Sequence, residues 1–500
     1  MRFRSFGKPA LAPLASLLLL SVLPTGSAFG QGGVYIDPEG VLRHGEREAG
    51  GRLAKLREGR RVAAPTGKLA EAGPMRKLSL ATLQREVRKH VEAGEAVPDE
   101  LRYLGGLTRV EYVFFYPNEG DVVLAGPAEP WRTNGRGDVI GVKSGLPVLQ
   151  LDDLVVALRA VGPGSQARAV GCSIEPTPEG LGRLQEFLRT ASAPKTNAQS
   201  RGIYNGMREK LGRHSVRVFG VPDDSHYAKV LVEADYLMKA TSLGVDKPGV
   251  KGLLNCIQLT DRLSQAGAVG SSLYRFWFTP RYEPFLVSED GLAYQIRGQG
   301  IQLLSEHEFV TATGQRQASG QPDPVASAFA KGFTDSLPDL MARRPIYAEL
   351  RNAADLAIVA ALIRSHMPVA EASAGDLQPG ARVQASNANA RVAPGNARDA
   401  NTPSASGSPL STFNPQLFAW LLDPKNYVIE SYPVPKSAES LVNSQRFGSS
   451  RGGYLLGQAG GVTIEPASVL TEENLKKDDG QLAQGRGQAR QASPSEWWWD

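Results

Sequence analysis

Three titratable side chains within ten residues, His226, Glu233 and Asp235, are the strongest candidates for acid–base or metal chemistry. They follow an Asp223-Asp224 pair and Ser225, a residue suited to cap a helix over 226–243. At about 100° per residue, His226 and Glu233 lie roughly 20° apart on that helix and form an acid–base or metal half-site. Glu233 and Asp235 lie about 200° apart, on either side of an apolar face of Tyr227, Val230, Ala234, Leu237 and Met238. Each carboxylate also has a lysine one turn away, Lys229 and Lys239, as on a solvated amphipathic helix. That pairing favours a structural helix, with His226 and Glu233 kept as the catalytic candidates.

Other chemistries fail on context. Gly448 to Gly452 spells G-x-S-x-G around Ser450, but a nucleophile elbow needs a strand before it and a helix after it. Here the preceding residues are polar, the following ones glycine-rich, and the last histidine is His366, upstream. His307-Glu308 lacks the second histidine of a zinc-protease helix. With neither a phosphate-binding loop nor a dinucleotide fingerprint, no cofactor and no metal site is expected. Cys172 and Cys256 both sit in apolar segments, unlike a nucleophilic thiolate, and leave open either one disulfide or two separately buried thiols. Arg136-Gly137-Asp138 reads as a turn. Trp497, Trp498 and Trp499 are half of the six tryptophans. Adjacent indoles suit a partner groove or a membrane interface, so they are the partner-binding candidates.

The elements that must position these residues can be read from periodicity. A hairpin is expected over 33–43. A helix over 80–93 is capped by Ser79, with Leu80, Leu83, Val87 and Val91 on one stripe. Residues 110–125 form a hairpin around Pro117 to Gly120. Strands at 148–151, 168–174 and 216–221 then alternate with helices at 153–161, from Pro178, at 203–212 and at 226–243, with Thr177 capping the second helix and Asp152 the first. Antiparallel strands follow over 273–311, then helices at 324–342 and 346–364. The last is apolar from Ala353 to Ile363 except for Asp355, whose expected partner is Arg351. A helix over 415–422 and a strand over 427–432 complete the ordered part. The fold class is α/β or α+β, with mixed sheets and packed helices.

Charge and composition bound the rest. Gly (54) and Pro (34) exceed the usual share, and two cysteines exclude a disulfide scaffold. Arg2, Arg4 and Lys8 precede an apolar run from Leu11 to Leu23 and the small-residue exit Ala28-Phe29-Gly30. These are the parts of a secretory signal peptide over 1–30, cleaved before Gln31, with an h-region too short to span a bilayer. Removing its three basic residues lowers the net charge from +5 to +2. Nucleic acid is therefore not expected as a partner, and no membrane span is expected after cleavage. The remaining positive charge concentrates in 43–92, with 13 Lys or Arg against 6 Asp or Glu.

Residues 31–76 read as an N-terminal hairpin and basic linker, and 77–366 as the main globular region, divided near 145 or 265. Residues 371–412, of which 28 of 42 are Ala, Gly, Pro, Ser or Asn, read as a disordered linker. A C-terminal ordered segment over 413–470 and a disordered tail over 471–500 follow. One motif recurs: Gly32 to Pro38 is echoed by Gly460 to Pro466 and, more loosely, by Gly171 to Pro176. Each is a short strand entered through glycine and stopped by an acid–proline pair, an arrangement that lets both chain ends join one sheet.

The segments Val232 to Lys239, 323–334 and 349–363 resemble an uncharacterised family of secreted proteins from planctomycete-type bacteria, defined as a domain of unknown function. The likeness covers 77–366, with 413–466 as a C-terminal part, and departs at Leu237, where a basic residue is expected. It implies export to a periplasmic or extracellular location and a shared fold, and it supplies no reaction. The leading expectation is an exported, non-catalytic protein that binds an envelope or extracellular partner. A hydrolase-like enzyme using His226 and Glu233 is the alternative, and an envelope polyanion binder working through 43–92 is the second.

Overall fold

The structure is a computed structural model that describes residues 33–37, 39–45, 62–135, 137–192, 196–265, 274–310, 316–318, 323–367, 418–441, 459–491 and 496–500. The expected signal peptide over 1–30, the expected linker over 371–412, Arg136 and Ser450 with its glycine motif lie outside these residues. The protein is a mixed α/β molecule built on two large sheets. Among the described residues no helix is long and apolar enough to cross a membrane.

The nine-stranded sheet runs Gly33–Ile36, Val41–Gly45, Ser437–Ala438, His214–Phe219, Val170–Pro176, Ala459–Ile464, Tyr274–Arg281, Gly300–Val310, Arg316–Ala318. All three copies of the glycine-entered motif are strands of this sheet. Two of them pair antiparallel, Val462 opposite Cys172 and Ile464 opposite Val170. The seven-stranded sheet runs Leu475–Lys477, Phe285–Val287, Ala293–Gln295, Tyr112–Tyr116, Asp121–Ala128, Gly73–Ser79, Trp498–Trp499. Strand alternation divides its two faces: Val113 and Phe115 join the main core, while Phe114 and Tyr116 pack with Leu482 and Ala489 of the Gln481–Gln491 helix.

Three helices pack together in that core: Leu151–Val161, His226–Ser242 and Ile346–Ser365. The last two are buried on nearly every side, which explains their apolar runs without a membrane. The Tyr227 hydroxyl donates to the Ala353 carbonyl (2.7 Å) and ties them together. The expected caps form: Ser79, Thr177 and Ser225 each accept a backbone N–H of the first turn.

Several expectations are corrected. Asp235 and Lys239 are not solvated flanks; both are fully buried, and the ammonium donates to Asp235 (2.7 Å) and to the carbonyls of Ile174 (2.8 Å) and Gly460 (3.3 Å). Lys239 thereby joins the helix to two strands, and burial pushes Asp235 up to about 6 despite the lysine. Asp355 is bound not by Arg351 but by Arg109 (3.0 Å) and the Tyr282 hydroxyl (2.8 Å). Residues 148–150 are not a strand; Val148 and Leu149 donate singly to Val139 and Leu107 on the way into the Leu151 helix. Asp152 does not cap that helix, and 427–432 is extended chain without a ladder, because each satisfies the other: Asp152 accepts from the Tyr427 hydroxyl (2.7 Å) and the Glu430 N–H (2.9 Å).

The expected 324–342 helix is two, Pro324–Asp335 and Leu337–Arg343. The 273–311 region divides between sheets: Tyr274–Arg281 pairs with Gly300–Val310, while the 285–295 hairpin enters the seven-stranded sheet. In place of a disordered tail, 475–477 adds a parallel strand beside Phe285–Val287, 481–491 is helical, and Trp498–Trp499 pairs with Gly73–Ser79. The tail is polar enough to read as solvated, but Leu475, Leu482, Ala489 and the tryptophans pack into the apolar clusters of the molecule.

Candidate functional site

Three helix N-termini converge on His226. The residue opens its own helix, Asp153 lies in the first turn of the Leu151 helix, and Glu349 in the first turn of the Ile346 helix. Carboxylates are favoured at these positions by the helix dipole. His226 Nδ1 lies 2.9 Å from Asp153 Oδ2, and Nε2 lies 3.3 Å from Gln150 Nε2 and 4.0 Å from Glu349 Oε2. With Nδ1–H donated to Asp153, Nε2 of the neutral ring is left to accept from the Gln150 amide. The predicted partner Glu233 is instead paired with Lys229 (4.0 Å), at the margin of the cluster.

Burial sets the protonation chemistry here. His226, at 7% exposure, is penalised as a cation by burial, but the Asp153 charge and hydrogen bond outweigh that and raise its pKa. Burial, with the Asp138 charge nearby, pushes Glu349 up to about 7, against the pull of His226. Such a trio can hold and release a proton near neutrality. Its ring is also covered. Tyr432 packs edge-on against the imidazole with centroids 5.0 Å apart. The chain carrying that tyrosine is fastened by Tyr432 N–H to the Asp224 carbonyl (2.6 Å), by Ser431 to the Asp224 carboxylate (2.9 Å) and by Lys436 to Asp223.

A second arrangement was missed from sequence. A cavity of about 460 Å3 opens between the N-terminal hairpin, the Asn197–Leu211 helix and residues 439–440. Arg43, Arg208 and Arg213 line it with Asn205, Glu439 and Ser440. Arg43 pairs with Asp37 (2.6 Å) and Glu439 (3.4 Å), Arg208 with Glu439 (3.9 Å), and Arg213 with Glu39. Each guanidinium carries five N–H donors, more than these carboxylates use. The Ser440 hydroxyl is buried beneath this wall rather than open to the cavity. Of these residues only Arg43 carried a signal, as the first residue of the basic stretch.

The remaining candidates separate. Cys172 and Cys256 are both buried and stand on separate elements, the Val170–Pro176 strand and the Cys256–Gln265 helix, and burial drives the Cys172 thiol well above its ordinary range. His307 and Glu308 lie on a strand, not a helix. Asn134 and Asp138 close the turn between Trp131–Thr133 and Val139–Gly141 (2.9 Å between side chains). Among the described residues no group of three His, Cys, Asp or Glu side chains could hold a metal ion. Of the basic stretch, Arg76 is fully buried, so the stretch does not present all its charge to solvent.

A family model described as a protein of unknown function, DUF1598, matches residues 172–255. That span carries the Cys172 strand, the Asn197 and His226 helices, and Asn205, Arg208 and Arg213 of the cavity. No curated protein and no solved structure matches the chain.

Proposed function

We propose that the protein is an exported, non-catalytic binding protein whose cavity beside Arg43 takes a small ligand bearing carboxylate groups. The observation that carries this reading is the convergence of three guanidiniums, Arg43, Arg208 and Arg213, on one cavity, with more N–H donors than the neighbouring carboxylates use. Arginine forks match carboxylate geometry, and a cavity of this size suits a small molecule. Against the hydrolase alternative stand the engagement of both His226 nitrogens and the tyrosine over the ring. Export, to the periplasm or the cell exterior, rests on the N-terminal pattern and on the resemblance to secreted proteins of planctomycete-type bacteria; the family itself names no partner.

The test is a thermal-shift titration of the mature chain with citrate and succinate as probes. A saturable rise in melting temperature is expected, reduced about tenfold in apparent affinity by Arg208→Ala or Arg213→Ala, consistent with loss of one charge-assisted hydrogen bond. A rise that both variants retain in full, or none at all, would overturn the reading. Sequencing the N-terminus of the protein made in a secreting host should give Gln31 first; retention of Met1 would remove the export claim.

A further inference from the structure

Residues 496–500 lie along the edge of the Gly73–Ser79 strand in a way that reads their side chains one by one. Trp498 and Trp499 pair antiparallel with Leu78 and Lys77, and the Ser79 N–H donates to the Trp497 carbonyl (2.9 Å). Alternate side chains part to opposite faces, as on any strand. Trp498 packs with the Leu69, Tyr103 and Trp131 cluster, while Trp499 packs beside Met75 on the other face. Arg76, with no exposed surface, ends the groove. Its Nε and one terminal nitrogen hold the Asp500 carboxylate in a fork (2.8 and 3.0 Å), and its guanidinium carbon lies 4.6 Å from the Trp498 ring centroid. Carbonyls of Gly105 (2.7 Å) and Glu71 (3.1 Å) hold the same guanidinium in place. Gly73 leaves the room: a Cβ there would stand 2.3 Å from Asp500 Oδ1.

Strand addition with side-chain pockets and a charged anchor is how sheet edges bind peptides. On the receiving side the recognition uses the strand edge, Arg76 with the carbonyls that hold it, and the Leu69, Tyr103 and Trp131 cluster, so the same segment offered by another molecule meets the same contacts. We propose that this edge is a peptide-recognition groove that takes residues 496–500 of a second copy of the chain as well as its own, linking copies by segment exchange. The exchange creates no contact that the single chain lacks, which makes it a low-cost route to association. It is independent of the cavity and of any ligand there.

The experiment uses the full mature chain and a fluorescent peptide of residues 494–500. Asp500 is partly exposed, and Asp500→Asn weakens the resident segment by removing the counter-charge of the buried Arg76 while its amide oxygen can still accept from the guanidinium. The peptide should bind the Asp500→Asn chain saturably and about tenfold more tightly than the unaltered chain, whose own segment competes. A peptide carrying the same Asp500→Asn change should bind about tenfold more weakly, the loss expected for a charge-assisted pair. Light scattering of the concentrated unaltered chain should show dimers that excess peptide returns to monomers. Circular dichroism checks that the variant is folded. No saturable binding to the folded variant at millimolar peptide, or a chain that is monomeric at every concentration, would overturn the proposal, as would dimers indifferent to peptide.

Discussion

Glu349 and His226 both bind protons more readily in the folded chain than their ordinary values allow, and the sign of the consequence follows. Burial raises Glu349 to about 7, and Asp153 raises His226 against the effect of burial. The folded state therefore holds more protons than the unfolded chain from the usual carboxylate range up to neutrality, and stability falls as pH rises through that window. Asp235, raised to about 6 by burial, acts in the same direction. Glu349→Gln keeps the shape and removes the ionisation. It should leave stability at pH 4 nearly unchanged and raise it at pH 8 by about 1–3 kcal/mol, measured by urea unfolding. A variant equally stable to the unaltered chain at both values would mean that Glu349 ionises without penalty.

The Ala459–Ile464 strand shows what an element needs to enter a sheet late in the chain. It runs parallel to Tyr274–Arg281 and antiparallel to Val170–Pro176, and both neighbours press on its glycines. A Cβ on Gly461 would stand 1.9 Å from the Cys172 carbonyl, and Gly460 adopts φ +129° with the Phe276 carbonyl equally close at 1.6 Å. The Gly-Gly entry of the repeated motif is thus a clearance requirement. Gly461→Ala should cost at least about 1–3 kcal/mol, the range for overpacked cores, with the urea midpoint as the readout. A neutral effect would show that the strand can shift away from its neighbours. Helix ends were legible here because a cap is a local event: Ser79, Thr177 and Ser225 need only the N–H groups three residues on. The strands expected at 148–151 and 427–432 failed for the opposite reason. Alternation reports half-buried extended chain, and whether a ladder partner lies beside it is not written locally.

At the scale of the molecule, the strands of 437–438, 459–464, 475–477 and 498–499 all insert among, or extend, sheets formed by residues before 319. The described residues from 418 onward are accordingly part of the same fold as the described residues of 77–366. Pieces 31–370 and 413–500 expressed together should co-purify as a one-to-one complex, and 31–370 alone should be insoluble, because its central sheet then lacks the strand between Val170–Pro176 and Tyr274–Arg281. Recovery of a soluble, folded 31–370 piece would show that the late strands are accessory. One core containing residues from both sheets explains the expectation.

The sequence by itself determined the mixed α/β class, the helices capped by Ser79, Thr177 and Ser225, the 110–125 hairpin and the strand character of the glycine-entered motif, since each depends on periodicity, turn chemistry or a repeated motif. That all three copies share one sheet was decided by the tertiary structure. The sequence also singled out His226. Only the tertiary structure decided what His226 meets: Asp153 and Glu349 are brought to it by three packed helices whose spacing along the chain carries no information about their approach. The same holds for Arg109 reaching Asp355, for Lys239 buried where its i,i+4 acid suggested a wet surface, and for Arg43, Arg208 and Arg213 meeting around one cavity. Charges four residues apart announce a pair, but burial depends on what packs over them, and that is a property of the whole chain.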